Sequence, residues 1–225
     1  MRSVTFALLL ASTLTASLPA WAESRAEPID DRDLGPRDHF ELSMGFLGGQ
    51  RRHSQENFTQ QGGGQVMNLD EPLSRFPYDK VTVLGLRYDM RLVVSYVRMT
   101  AGFDLPYAVY RAGQTTGRYE IDGTEREVTA RSLHMKALRF GIGGELPLSP
   151  VTPFADLLGS INWLNTELAV DKDRRELEAT TFGFSVRAGV RLQVRRWFFA
   201  SAAGEVGLSS NVLWGAELAV GFSTW

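Results

Sequence analysis

Two residues, Ser132 and His134, have the types and the spacing of a nucleophile and its base. In a strand, residues two apart point to the same face, so the hydroxyl and the imidazole would lie side by side. A hydrolytic site of this kind also needs an acid and an oxyanion site, and the sequence offers no convincing acid partner. No enzyme is predicted, and the favoured interpretation is a binding surface on which Lys136 meets phosphate.

Other site chemistries are excluded by composition and spacing. The sequence has no cysteine, which removes disulfides, thiol nucleophiles and cysteine metal sites. His39 and His53 lack metal-ligand spacing, so neither a metal nor a cofactor is predicted. The run 62–64 of three glycines is followed by no lysine–serine pair, which favours a flexible loop over a phosphate cradle. The net charge of −2 argues against a nucleic-acid partner.

Charged residues recur at alternate positions along much of the chain. The positive charges in this set are all arginine, which suits hydrogen-bonded pairing with carboxylates. Small residues lie between them, as the narrow interior of a small barrel requires. We therefore predict an interior charge network, with a contact between Arg187 and Glu205. It comprises Glu41, Arg87, Arg98, Arg139, Glu145, Asp156, Arg187, Arg191, Glu205 and Glu217.

The elements that carry these charges are predicted to be strands. From Thr181 to Val194, apolar residues alternate with small, polar or basic ones, as in a strand with two unlike faces. This segment exceeds the roughly 9 to 11 residues with which a tilted strand crosses a bilayer. The same alternation predicts eight strands, at 39–49, 80–88, 92–104, 131–146, 154–165, 181–194, 197–208 and 212–225.

The connections between these strands alternate in length. Within the second long loop, residues 117–128 are a candidate protruding hairpin. Short periplasmic turns and longer extracellular loops are typical of outer-membrane barrels. Tight turns are predicted at 89–91, 147–153 and 195–196, long polar loops at 50–79, 105–130 and 166–179, and a short connection at 209–211.

The N-terminal segment predicts export. Met1 and Arg2 precede an apolar run that ends in Ala20-Trp21-Ala22, so residues 1–22 are expected to be a cleaved signal peptide. Residues 23–37 are polar and aperiodic, and are expected to be a flexible periplasmic lead-in. Residues 38–225 are predicted to form one barrel in the outer membrane of a Gram-negative bacterium.

The orientation of the two faces distinguishes a membrane barrel from a soluble lipocalin-type barrel, whose interior is apolar. The charged face is rich in glycine and alanine, which favours charge inside and apolar residues towards lipid. Aromatic residues near strand ends agree with two interfacial girdles. We assign Phe46, Phe103, Trp163, Phe182 and Trp214 to the long-loop side, and Tyr88, Trp197, Phe222 and Trp225 to the short-turn side. The predicted fold is all-β, an eight-stranded antiparallel up-and-down transmembrane β-barrel.

Three features together resemble small outer-membrane β-barrels of the OmpA-like transmembrane and opacity-protein type: the leader, the strand–turn–strand segment 141–156 and the aromatic C terminus. The resemblance implies a structural or surface-interaction (adhesin-like) role without a cofactor. A narrow pore for small solutes and, less favoured, an outer-leaflet lipid A modifying enzyme are the alternatives. Trp225 is out of phase with the apolar face that ends at Phe222, so the assembly signal is one of these two residues.

The expected partners follow from this architecture. Outer-membrane lipid and lipopolysaccharide would surround the apolar face, and the barrel-assembly machinery would bind the C-terminal strand. An extracellular ligand is expected at loops 50–79 and 105–130.

Overall fold

The structure is a computed structural model that describes residues 38–53, 58–60, 78, 80–110, 116–121, 123–148, 150–209 and 212–224. All of them belong to one compact unit, Pro36–Trp225. The predicted leader, the lead-in and Trp225 lie outside the described residues. Among those described, no helix is long and apolar enough to cross a membrane.

The described residues form ten strands. They are β1 (His39–Arg51), β2 (Phe58–Gln60), β3 (Val81–Val94), β4 (Val97–Val109), β5 (Thr116–Ile121), β6 (Thr124–Glu145), β7 (Val151–Val170), β8 (Asp173–Arg195), β9 (Phe198–Gly207) and β10 (Val212–Ser223).

Eight of these strands close into a ring. The pairing order is β1-β3-β4-β6-β7-β8-β9-β10, and β10 returns to β1, with every neighbour antiparallel. The two remaining strands lie outside the ring, since β2 pairs with β8 and β5 pairs with β6. The predicted eight-stranded, antiparallel, up-and-down barrel is thereby confirmed.

One predicted turn is wrong. Residues 89–91 are not a turn, because β3 continues through them to Val94 and the chain reverses at Ser95–Tyr96. Ser95 has a φ of 59°, the left-handed conformation that tight hairpin turns need. The misassignment arose because Asp89 and Arg91 are charged. In a barrel with a polar interior, charged residues at alternate positions continue a strand.

One predicted loop is also wrong. Residues 166–179 are mostly strand, since β7 runs to Val170, β8 starts at Asp173, and the turn contains Asp171 with a φ of 53°. The second predicted loop, 105–130, is shorter than expected because β4 ends at Val109. Its β5–β6 hairpin corresponds to the protruding hairpin predicted at 117–128.

The two faces of the ring strands differ as the alternation predicts. On β8, Phe182, Phe184 and Val186 are exposed, whereas Thr181, Ser185 and Arg187 are buried. The same apolar exterior and polar interior recur on β1, β3, β4, β6 and β10. A continuous apolar outer surface around a charged interior is the arrangement of a transmembrane barrel.

The aromatic residues are not divided between two girdles in the way that the sequence predicted. All eight of the predicted residues that the structure describes are exposed on the barrel exterior by more than a third. The register pairs Tyr88 directly with Phe103, so these two residues lie at one level and do not belong to opposite girdles. At the end of the barrel that carries the turns at 95–96 and 196–197, here the turn end, Trp197 stacks on Phe222 at 5.6 Å between ring centres.

At the opposite, loop end the barrel is extended on one side. Strands β6, β7 and β8 have 22, 20 and 23 residues, whereas the other five ring strands have 10 to 14. About ten extra residues at roughly 3.3 Å each carry this sheet some 30 Å further. We call these upper parts of β6–β8, with β5 and β2 paired at their edges, the extension.

An apolar cluster fills the inner side of the extension and the loop end of the barrel. Its members include Tyr78, Val83, Leu133, Leu164 and Leu168, each at most 4% exposed. The interior is therefore layered. Apolar side chains close the loop end, and the charged residues occupy the part below.

Candidate functional site

The interior charge network is built by all eight ring strands. Seven arginines and seven carboxylates are buried, so the two signs balance. All ten residues of the predicted network are among them, each at most 5% exposed. Loss of one of these charges would leave its partners buried and unpaired, which is strongly destabilising.

Asp89 is the centre of this network. Its Oδ2 accepts hydrogen bonds from Arg91 at 2.6 Å and from Arg187 at 2.7 Å, and its Oδ1 accepts one from Arg139 at 2.5 Å. Asp89 is on β3 and Arg187 on β8, four places apart in the ring of eight. The Asp89–Arg187 pair therefore joins opposite sides of the barrel across the lumen.

Arg87 forms a second branching point. It binds Asp104 through two parallel hydrogen bonds of 2.9 and 2.8 Å, the bidentate geometry that favours arginine over lysine. It also donates to Glu205 at 2.9 Å and to Glu217 at 3.0 Å. Glu217 in turn accepts from Arg187 at 3.2 Å, which connects the two branching points.

A third group lies towards the turn end. Arg191 contacts Glu41 and donates to Glu145 at 3.2 Å, and Arg98 donates to Glu145 at 3.3 Å. The guanidinium carbon of Arg98 is 3.9 Å from the centre of the Phe154 ring, within cation–π range. The turn end of the lumen is therefore filled by ion pairs as well.

Three residues of this group also have the spacing of metal ligands. Donor atoms of His39, Glu41 and Glu145 lie within 4.8 Å of one another. The guanidinium of Arg191 is 3.1 Å from His39 Nε2 and 3.2 Å from Glu145. A protein cation thus already faces these ligand atoms, which makes the arrangement an ion-pair cluster in preference to a metal centre.

Four buried charges of the interior were missed by sequence reasoning: Arg51, Asp89, Arg91 and Asp104. Asp89 and Arg91 follow Arg87 at intervals of two, and Tyr88, its neighbour on the other face, is exposed. This uninterrupted alternation is the signal that could have identified them. Arg51 was assigned to a loop, but β1 includes it and its Nη1 donates to the Trp214 carbonyl at 3.1 Å.

The predicted Arg187–Glu205 contact is replaced by other pairs. The two residues are directly opposite in the β8–β9 register, one position from the predicted alignment. The Arg187 side chain instead donates to Asp156 at 2.7 Å, whereas Glu205 accepts from Arg87 and from the Ser185 hydroxyl at 2.6 Å. Asp156 is the register neighbour of Arg187 on β7, so the arginine pairs with its neighbour on that side and not with the one on β9.

Ser132 and His134 lie on the extension near the edge of the apolar belt. His134 is exposed on the outer face, and a register irregularity between Ala130 and Ser132 leaves Ser132 half-buried. Both line a groove of about 540 Å³ with Lys136, Trp163 and Glu178, among others. Within the described part of the chain, no hydrogen bond joins the Ser132 hydroxyl to the His134 ring.

Tyr78 and His53 lie at the loop end, beyond the ends of the strands, and have displaced pKa values. Burial raises the pKa of Tyr78 to about 12, and its hydroxyl hydrogen-bonds the Thr166 hydroxyl within the apolar cluster. Burial, together with the nearby positive charge of Arg51, lowers the pKa of His53 to about 3. The backbone N–H of His53 donates to the Tyr78 carbonyl at 3.0 Å, so the two segments are fastened together.

Comparison with known proteins gives similarity of fold without similarity of sequence. No protein-family model matches the chain, and no curated protein matches it in sequence. Among solved structures, neisserial surface protein A is 11% identical, with a TM-score of 0.49, over 82% of this chain and 96% of that protein.

Two further structures are similar to the same degree or less. The attachment invasion locus protein of Yersinia pestis is 10% identical, with a TM-score of 0.48, over 84% of this chain and 99% of that protein. The N-terminal β-barrel domain of Pseudomonas aeruginosa OprF is 14% identical, with a TM-score of 0.37 and the same coverage. At such identities the resemblance to small outer-membrane barrels concerns fold alone and carries no information on ligands.

Proposed function

We propose that the protein is an integral outer-membrane barrel with a structural and surface-interaction (adhesin-like) role. The observation that carries this proposal is the apolar exterior around an electrically balanced, charge-filled interior. Such a molecule is stable only where lipid covers its outer surface, because an apolar surface of this size is strongly unfavourable in water. An exported chain with the predicted leader meets that requirement in the outer membrane.

The closed interior argues against the pore alternative. A ring of eight strands leaves room for little more than its own side chains. Here the Asp89–Arg187 pair crosses that space at 2.7 Å, and the apolar cluster lies above it. This filling of the lumen supports a closed barrel over a pore.

The extension supports the surface-interaction part of the proposal. Its outer face is polar and charged, with exposed Arg118, Glu125 and Arg174. Its inner face is fixed by the apolar cluster, so the sheet is a rigid support for the segments 50–79 and 105–130 at which a ligand is expected. A binding surface on a rigid sheet loses little conformational entropy when a partner docks.

The geometry at Ser132 and His134 supports binding over catalysis. Ser132 and His134 form no hydrogen bond with each other, and the nearest carboxylate by register, Glu167, is 3.4 Å from the Arg174 guanidinium. A nucleophile needs its base within hydrogen-bond reach. We therefore propose a binding role for this rim.

Membrane fractionation combined with heat-modifiability on gels tests the proposal. We expect the chain in the outer-membrane fraction, with a folded form that migrates faster before boiling than after it. Protease added to intact cells should cut the extension and leave a protected barrel fragment. A chain that is found in the soluble fraction, or that lacks a folded form in the membrane, would overturn the proposal.

A further inference from the structure

The groove on the outer face of the extension lies directly beyond the apolar belt. The register orders its outward residues in rows across β6, β7 and β8. Leu138, Ile161 and Phe182 form the last apolar row. The following rows are Lys136, Trp163 and Thr180, then His134, Asn165 and Glu178, then Ser132, Glu167 and Glu176.

These rows change in chemistry in a fixed direction. Successive outward rows are about 7 Å apart, because they are separated by two residues of strand. The surface therefore passes from hydrocarbon to one amine beside a tryptophan, and then to carboxylates, within about 20 Å. Trp163, with 42% of its surface exposed, is at the boundary where tryptophan is favoured in membrane proteins.

On the basis of the membrane location proposed above, we infer that this groove binds the phosphate headgroup of an outer-leaflet lipid. Lys136 pairs with the phosphate, and Glu176 and Glu178 meet a cation that this phosphate carries. The acyl chains of the same lipid lie against the Leu138 row. The occupant follows from continuity, because a lipid that contacts the apolar belt must place its headgroup at the level of the groove.

The balance of charge in the groove determines the kind of phosphate. Glu167 is 3.4 Å from Arg174 and 3.9 Å from Arg131, so these arginines offset its charge. Glu176 and Glu178 line the same groove as Lys136. A bare phosphate would be repelled by their carboxylates. A phosphate that carries a divalent cation or a covalently attached amine can contact both Lys136 and the carboxylates, since hard cations and ammonium groups bind carboxylate oxygen.

The test uses full-length protein in a non-ionic detergent with bis-phosphorylated lipid A as the probe. Native mass spectrometry measures the fraction of protein with bound lipid. We expect Lys136→Gln to weaken binding roughly tenfold, the loss of one charge-assisted hydrogen bond. The matched control is Lys172→Gln, which removes the same charge from the exposed β7–β8 turn and should leave binding unchanged.

The carboxylates are tested in the same way. Glu176→Gln combined with Glu178→Gln should weaken binding, whereas the exposed control pair Glu125→Gln and Glu127→Gln should not. Loss of binding on chelation with EDTA is expected and would identify a divalent cation, because the phosphates of this probe carry no covalently attached amine. Full binding in EDTA would overturn the assigned cation. Tighter binding by the Glu176 and Glu178 double variant would overturn the assigned cation.

Two further outcomes would overturn the proposal that the groove binds a lipid phosphate. One is equal binding of phosphorylated and dephosphorylated lipid A. The other is full competition by inorganic phosphate, which would make a soluble anion the occupant. Heat-modifiability of every variant keeps this test separate from the proposed function. If all variants fold in the membrane fraction and Lys136→Gln binds lipid normally, only the groove assignment fails.

Discussion

At the scale of single residues, neutralisation of Asp89 is expected to destabilise the barrel strongly. It accepts hydrogen bonds from Arg91, Arg139 and Arg187 within the barrel. Asp89→Asn leaves these three guanidinium groups short of one negative charge in a buried space. We expect a loss of about 3–5 kcal/mol in the free energy of unfolding, the usual cost of breaking a buried ion pair. Urea unfolding in lipid vesicles measures it.

Asp173→Asn is the matched control for this prediction. The same chemical change is made at an exposed position at the start of β8, where we expect an effect below about 0.5 kcal/mol. Equal unfolding energies for Asp89→Asn and the unchanged protein would show that Asp89 is not the centre of the network.

His53 predicts a dependence of stability on pH. Its folded pKa is lowered to about 3 by burial and by Arg51, against an ordinary value of 6.5. The unfolded chain therefore takes up a proton below pH 6.5 that the folded chain does not. Stability should be complete above that pH and fall between pH 6.5 and 3, by roughly 1.4 kcal/mol per pH unit once the unfolded ring is protonated.

The measurement compares the unfolding free energy of the unchanged protein and of His53→Gln from pH 7 to pH 4.5. Both proteins retain His39 and His134, so the difference between the two curves isolates His53. We expect a smaller slope for His53→Gln in this window. Parallel curves would show that His53 is accessible to protons in the folded state.

The charged face could be recognised from the sequence because alternation places each residue on a face. Arg187 and Glu217 were found in this way, whereas Asp89 was lost when its charge was interpreted as a turn signal. Only some ion-pair partners follow from register. Arg87–Asp104 and Arg187–Asp156 are neighbours on adjacent strands, whereas the Asp89–Arg187 pair depends on ring closure.

At the scale of elements, the β5–β6 hairpin and the apolar side of the extension are held in place by different contacts. The tip of the β5–β6 hairpin is exposed, and its described attachment is to Asp171, through hydrogen bonds of 2.8 and 3.1 Å with Glu127. Replacing residues 118–127 by an Asn-Gly turn should cost about 1–2 kcal/mol, the value of two hydrogen bonds. The variant should still show a heat-modifiable folded form.

The apolar side of the extension provides the contrast. Leu168 is fully buried in the cluster, and Leu168→Ala should cost about 2–5 kcal/mol. Removal of one isopropyl group is thus expected to cost at least as much as removal of the whole hairpin tip. The opposite order, measured by urea unfolding, would show that the hairpin tip is part of the folded core.

Strand existence was easier to predict than strand ends. The lipid-facing part of β8 alternates without interruption, so its identity and orientation were clear. Beyond the belt, the run 171–176 is charged on both faces because both face water, and the hairpin was taken for a loop. The buried Leu168 and Leu177, which pack inward on opposite sides of that run, were the available signal.

At the scale of the whole molecule, two layers of side chains close the interior one above the other, and we call these layers seals. The charge network spans the barrel through Asp89 and Arg187, and the apolar cluster around Leu133 and Leu168 closes the loop end. The sequence predicted the first seal from its alternating charges. It did not predict the second, because inward apolar residues at the loop end match neither the lipid-facing pattern nor the charged one.

Two seals in series make a specific prediction for planar lipid bilayers. The unchanged protein should give no reproducible conductance steps. The double variant Asp89→Ala, Arg187→Ala keeps the interior neutral while it removes the cross-lumen pair, and it should also be silent because the apolar cluster still excludes water. Steps in the unchanged protein would refute the closed barrel. Steps in the double variant alone would show that the charge network is the whole seal and that the apolar cluster serves only to stabilise the extension.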